Sequence, residues 1–193
     1  MLIEKTDKEL IKKISTRMSK RLIKHPLFMF FCKDINKRGE FIFDYFRYYL
    51  PEWIKSEMLF VNKNNTVVIS AVNPENFEFK YKGLSAYRMK KYEFSSNVFV
   101  HRENLEDICD ILLSYRKPVL ILTLYASYDT PEEDIMEVVR EVKQYADQND
   151  VTLLYDTFSR RLISSMTVEG FTKSYSKQFI TTQYTETIML YNV

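Results

Sequence analysis

Residues Thr130–Ile135, reading TPEEDI, stand where the apolar stretch KPVLILTLYAS runs into a long amphipathic segment. A helix that starts in this way presents backbone N–H groups with no partner inside the helix, together with the positive end of the helix dipole. It is therefore a natural seat for a phosphate. Phosphate binding also asks for glycines in the turn before the helix, because only without a Cβ do the N–H groups close on phosphate oxygens. The chain has three glycines, Gly39, Gly83 and Gly170, and none stands in this turn. Instead Glu132, Glu133 and Asp134 bring carboxylates to the first turn, and Pro131 removes one N–H. The pattern predicts a helix that caps itself, with Thr130 as N-cap, Pro131 at the first helical position and Glu133 returning to the cap. A phosphate beside these carboxylates would be repelled by about 1 kcal/mol per contact in water and by several in a dry site.

Other reactive residues are few. His25 and His101 are the only histidines, and neither has a carboxylate or cysteine at metal-ligand spacing, so no metal site is predicted. No nucleophile-elbow context accompanies them for a serine or cysteine triad. His25 precedes Pro26 at the end of the first helical pattern, where the helix dipole favours a cation. Cys32 and Cys109 form no CxxC pair, which predicts a reduced, cytoplasmic protein. In KYKGLSAYRMKKYEF the cations Lys80, Lys82, Arg88, Lys90 and Lys91 alternate with Tyr81, Tyr87 and Tyr92. That composition suits either base stacking on a phosphate backbone or aromatic packing beneath snorkelling lysines. The formal charge is only +2, from 28 basic and 26 acidic residues, so strong nucleic-acid binding is not expected. No apolar run approaches the roughly 18 residues of a membrane span, and the N-terminus has no apolar signal core, which predicts a soluble, untargeted chain.

The elements that must position these residues alternate in type. TDKE marks a helix start with Thr6 and Glu9 as a capping box, and the helix is predicted over Asp7 to Lys24 with Leu10, Ile14, Met18 and Leu22 on its inner face. A second helix follows PLFMFF and carries Phe41, Tyr45, Tyr48 and Tyr49 up to Pro51. EMLFV and TVVISAV read as a hairpin turned by NKNN. The polar, aromatic stretch that follows has no clear period; NVFVH reads as a strand and Arg102 to Arg116 as a helix. KPVLILTLYAS is a buried central strand. After it, Ile135, Val138, Val139, Val142, Tyr145 and Ala146 have the best helical periodicity in the chain. VTLLY is a strand, SRRLISSMTVE a short helix stopped by Gly170, and FTKSYSKQFI with TETIMLYNV an alternating terminal hairpin. The fold class is α/β (α+β): one domain over residues 1–193, with a mixed central sheet flanked by helices. Its parts are a helical one (1–55), a hairpin, irregular segment, strand and helix (56–119), and a strand-helix-strand-helix-hairpin part (120–193).

This order, with REVKQYADQNDVTLLYDT and the Gly170-Phe171 pair, resembles the C-terminal half of the GNAT superfamily of N-acetyltransferases from about Leu120 to Val193. HPLFMFFCKDINKRGEFIFDYFRYYL is similar to the paired N-terminal helices of one branch of it. The resemblance implies acetyl-CoA as cofactor and transfer of an acyl group to a small-molecule amine. It places the thioester along the backbone of Leu124 and Tyr125, where the central strand splays from its neighbour. The family's Arg/Gln-x-x-Gly-x-Gly/Ala pyrophosphate loop falls on Thr130, Glu133 and Ile135, and none matches. Its Asn-x-x-Ala-x-x-x-Tyr-x-x-x-Gly-Phe pattern places Ser159 at the asparagine, Leu162 at the alanine and Met166 at the tyrosine that acts as general acid. Ser159 can hydrogen-bond a pantetheine amide; Met166 has no proton to give, and Tyr155 or Tyr175 would have to substitute. Two functions follow: an acyl-CoA-dependent N-acyltransferase, or a binding or regulatory module with a degenerate cofactor loop and a protein partner. A homodimer stays open alongside a monomer.

Overall fold

A computed structural model describes residues 7–55, 59–73, 117–178 and 185–193. The elements are helices α1 (Lys8–Arg21), α2 (Pro26–Phe31) and α3 (Ile35–Lys55), strands β1 (Leu59–Val61), β2 (Val67–Val72) and β3 (Val119–Ala126), helix α4 (Glu132–Asn149), strand β4 (Thr152–Thr157), helix α5 (Arg160–Val168), and strands β5 (Thr172–Gln178) and β6 (Thr185–Tyr191). The six strands form one mixed sheet in the order β1-β2-β3-β4-β6-β5. β3 and β4 are adjacent and parallel, as a strand-helix-strand crossover requires, and every other pair is antiparallel. The expected NVFVH strand, the Arg102–Arg116 helix, the Lys/Tyr segment, Thr6, His101 and Cys109 lie outside the described residues.

Alternation along β3 sends its side chains into buried clusters on both faces of the sheet. Leu120, Leu122, Leu124 and Ala126 pack with Leu153 and Tyr155 of β4 against α4 and α5. Tyr125 turns to the other face, onto an aromatic layer of Phe28, Phe41, Tyr45, Phe46, Tyr49 and Trp53 from α2 and α3. α4 buries Ile135, Met136, Val138, Val139, Val142 and Ala146, the stripe its periodicity predicted. In the β1–β2 turn the Asn62 side chain accepts from the Thr66 and Val67 N–H groups, and Asn65 takes the left-handed conformation foreseen for an asparagine there.

Several boundaries moved for physical reasons. α1 is capped by Asp7, not Thr6: the Asp7 carboxylate accepts the Glu9 N–H at 2.9 Å, and the helix ends at Arg21, short of Lys24. PLFMFF is a helix of its own, and α3 runs through Pro51 to Lys55. Burial of Leu50, Trp53 and Ile54 on both sides of the proline outweighs its missing hydrogen bond. β5 is exposed along almost its whole length, so its alternation does not cover a core.

The α1–α2–α3 junction turns on one buried cation. Arg38 donates from Nε to the Cys32 carbonyl at 2.7 Å, from Nη1 to Ile23 at 2.8 Å and from Nη2 to Lys33 at 2.9 Å. These bonds satisfy carbonyls where the chain leaves one helix and enters the next.

At the end of α5, Gly170 has φ 91°, its N–H bonds the Thr167 carbonyl and the Phe171 N–H bonds that of Met166. This is the closing turn the sequence predicted. Gly170→Ala is expected to cost about 1–2 kcal/mol, read as a lowered urea midpoint, because an L side chain is strained at that φ.

His25 departs from expectation. It opens α2, with its ring beside Phe28 and its Nδ1 buried without a hydrogen-bond partner. Burial lowers its pKa from 6.5 to about 4, so it is a neutral ring and not a cation held by the α1 dipole. Between those values the unfolded chain binds a proton that the fold refuses. Stability therefore falls as pH drops from 6.5 toward 4, by up to about 3 kcal/mol. In His25→Phe, denaturant midpoints across that window are expected to lose this part of the acid sensitivity; an unchanged slope would refute the assignment.

Candidate functional site

The β3–β4 ladder runs from Val119–Thr152 to Thr123–Asp156 and stops there. β3 continues for three residues, Leu124, Tyr125 and Ala126, which pair with Ile69, Val68 and Val67 of β2 and with nothing in β4. β4 ends at Thr157, and Ser159 opens α5. The two central parallel strands thus part at one end of the sheet, with Leu124 and Tyr125 on one side of the gap and Ser159 on the other.

A polar row crosses the helical-layer face of the sheet at the last rung. Ser70 lies opposite Thr123, and Thr123 opposite Asp156. Ser70 and Asp156 are buried, whereas Thr123 is the one residue of β3 that is not. Solvent therefore reaches the middle of the central strand at the rung where it parts from its neighbour. Behind Thr123, the Tyr125 hydroxyl meets that of Tyr45 at 2.8 Å and also hydrogen-bonds the Ser70 and Thr123 side chains. Burial pushes the Tyr125 phenol well above its ordinary pKa; the hydroxyl partners oppose that shift and the nearby Asp156 carboxylate adds to it. Trp53 stacks on the Tyr125 ring at 5.6 Å. Phe158, half-buried just past β4, packs on Phe30 at 5.2 Å.

The turn between β3 and α4 is filled by protein groups. Arg21 of α1 donates to the Ser127 hydroxyl from Nε at 3.0 Å and from Nη2 at 2.7 Å, and to Asp129 at 3.1 Å. Thr130 is buried, its hydroxyl 2.9 Å from that of Ser127. The self-capping expectation is thereby corrected. Pro131 holds the N-cap position with no side-chain cap bond, Thr130 turns to Ser127 and Arg21, and Glu133 pairs with Arg140 at 2.9 Å. Ser127 and Arg21 offer the Thr130 hydroxyl partners that compete with the helix N–H groups. Arg161 of α5 donates to the Thr130 carbonyl at 3.0 Å and to the Tyr128 carbonyl, and Ser165 donates to the Glu132 carboxylate. The starts of α4 and α5 are tied directly to each other.

Comparison with known proteins finds no matching family model and no matching curated sequence. Among solved structures, the C-terminal condensation domain of Ebony in complex with beta-alanyl-dopamine superposes with a TM-score of 0.55 at 11% identity, over 80% of this chain and 81% of that one. The two chains share a fold.

Of the residues singled out from the sequence, Leu124, Tyr125 and Ser159 come to the parting end of the strands. The Ser159 hydroxyl makes no cap bond, and its N–H bonds Thr157 Oγ1 at 3.0 Å. Ile135 and Met166 are core residues. Neither substitute acid is well placed. Tyr155 is buried on the α4 side against Phe171, and Tyr175 lies exposed on the edge strand β5. Sequence reasoning missed Thr123 and Asp156; the signal available was a threonine inside the otherwise apolar β3 and a carboxylate near the end of β4. Tyr45 was read only as a packing residue, and pairing with Tyr125 gives it a second role.

Proposed function

We propose that the chain transfers an acyl group to an amine in the cleft where β3 and β4 part, as a divergent member of the GNAT-like acyltransferases, and that it holds the acyl thioester without a pyrophosphate cradle. The observation that carries this reading is the ladder that ends at Thr123–Asp156 while Leu124–Ala126 run on beyond it. A thioester laid there would find strand N–H and C=O groups free of β4 along Leu124 and Tyr125. The fold shared with a condensation domain in complex with beta-alanyl-dopamine supports the same reaction class. Acetyl-CoA is a poor donor in this reading. Carboxylates stand at the α4 start, and Arg161 and Ser165 span the place a pyrophosphate would take.

The test compares acetyl-CoA with an acetyl thioester of pantetheine, which lacks the adenosine and all three phosphates. The two are expected to bind, and to acylate an amine, within about threefold of each other, because the phosphates gain no cradle. An acetyl-CoA advantage above about tenfold would overturn the missing cradle; absence of amide product from either thioester across a panel of primary amines would overturn acyl transfer. The second reading is a binding module of this fold. It is favoured by the burial of Met166, which leaves no proton donor at the family's acid position. Amine binding without amide formation would select it.

A further inference from the structure

We infer that the exposed face of α1 is a binding site for clustered phosphates, carried either by a free polyphosphorylated ligand or by a lipid headgroup. The inference does not rest on the acyl-transfer reading.

Three observations converge on this face. The first is its shape and lining. A surface hollow of about 520 Å³ lies along α1, and the described residues that line it are five cations, Lys12, Lys13, Arg17, Lys20 and Arg21, with Thr16 and a single carboxylate, Glu9. From Lys12 to Lys24 every exposed residue except Thr16 is a lysine or an arginine. At 1.5 Å per residue, Lys12 to Arg21 covers roughly 14 Å, room for several phosphates in a row.

The second observation is that these cations lack the partners the protein gives to others. Lys37 pairs with Asp34, Lys117 with Asp150, and Arg140 and Lys143 with Glu169. Lys12, Lys13 and Lys20 have no ion pair or side-chain hydrogen bond among the described residues. Lys8 and Lys12, Lys13 and Arg17, and Arg17 and Arg21 stand four apart along the helix, a spacing at which like charges repel. An anion in the hollow relieves that repulsion.

The third is what the lining lacks. Among the described residues it holds no aromatic or aliphatic side chain. Nucleic-acid bases would find nothing to stack on, and a protein partner no apolar anchor. A compact, multiply charged anion needs neither, and ammonium groups, guanidinium forks and the Thr16 hydroxyl all donate to phosphate oxygens. At the far end Arg21 pairs with Asp129 at 3.1 Å, so a carboxylate stands between the hollow and the start of α4.

The test is a calorimetric titration of the full chain with sodium tripolyphosphate at neutral pH and about 0.15 M salt. The wild-type chain is expected to bind with a Kd at or below about 100 μM, weakening as salt is raised. Lys13→Gln with Lys20→Gln removes two exposed, unpaired charges and is expected to weaken binding at least about tenfold; Lys55→Gln with Lys173→Gln removes the same charge elsewhere and is expected to leave it within about twofold. Phosphatidylcholine vesicles with about 5% phosphatidylinositol bisphosphate distinguish the two sources: binding at least about tenfold tighter than to tripolyphosphate assigns a headgroup, and weaker binding a free ligand. Absence of tripolyphosphate binding up to about 1 mM, or equal losses in the two double variants, would overturn the site. Hexaglutamate bound as tightly as tripolyphosphate would overturn the phosphate assignment in favour of an acidic peptide.

Discussion

Thr123→Phe is expected to lower the rate of amide formation at least about 100-fold, close to 3 kcal/mol at the transition state, while the urea midpoint stays near that of the wild type. Thr123 is the one residue of β3 with solvent access, at the rung where the β3–β4 ladder ends. A phenyl ring at that position crowds the gap where β3 and β4 part, in which the proposed transfer takes place. Phenylalanine is a good strand former, and a half-exposed site receives the larger side chain without compressing the core. Steady-state amide formation with an acyl-pantetheine thioester gives the rate, and urea unfolding gives the stability. Thr123→Val is the control, since it keeps the volume and the opening. Equal activity in the phenylalanine variant and the wild type would mean that the chemistry takes place elsewhere.

Arg38→Met is expected to destabilise the fold by about 3–5 kcal/mol, the largest loss predicted for a side chain with no place in the reaction. The methionine keeps the length and apolar stem of arginine, so the loss isolates the guanidinium. Its removal leaves the Ile23, Cys32 and Lys33 carbonyls without three charge-assisted donors in a junction that is almost fully buried. Arg38→Lys is expected to recover only a minor part, because one ammonium cannot address three carbonyls arranged around a planar fork. Urea unfolding followed by far-UV dichroism measures both variants. A loss below about 1 kcal/mol in Arg38→Met would show that water replaces the guanidinium without cost.

The sequence by itself determined the order of the described elements apart from α2, the parallel pairing of β3 with β4, the α4 stripe and the Gly170 turn. Each follows from local rules: apolar periods of two or nearly four residues, a crossover that forces parallel strands, and a position that only glycine takes without strain. From the missing glycines and the first-turn acids it predicted a helix start without a phosphate cradle. Only the tertiary structure decided what fills that place. Arg21 comes from α1 and Arg161 from α5, and no local pattern announces partners more than thirty residues from the Ser127–Thr130 turn in either direction. The same reason hid the polar row. Ser70, Thr123 and Asp156 belong to three strands with long connections between them, and they meet because strand register sets them opposite one another. Periodicity assigns a residue to a face of its own element, whereas register and packing assign its neighbours. That is why His25, read from the sequence as a cation favoured at a helix end, became a half-buried neutral ring, and why no local pattern announced the buried Arg38 guanidinium that holds three carbonyls.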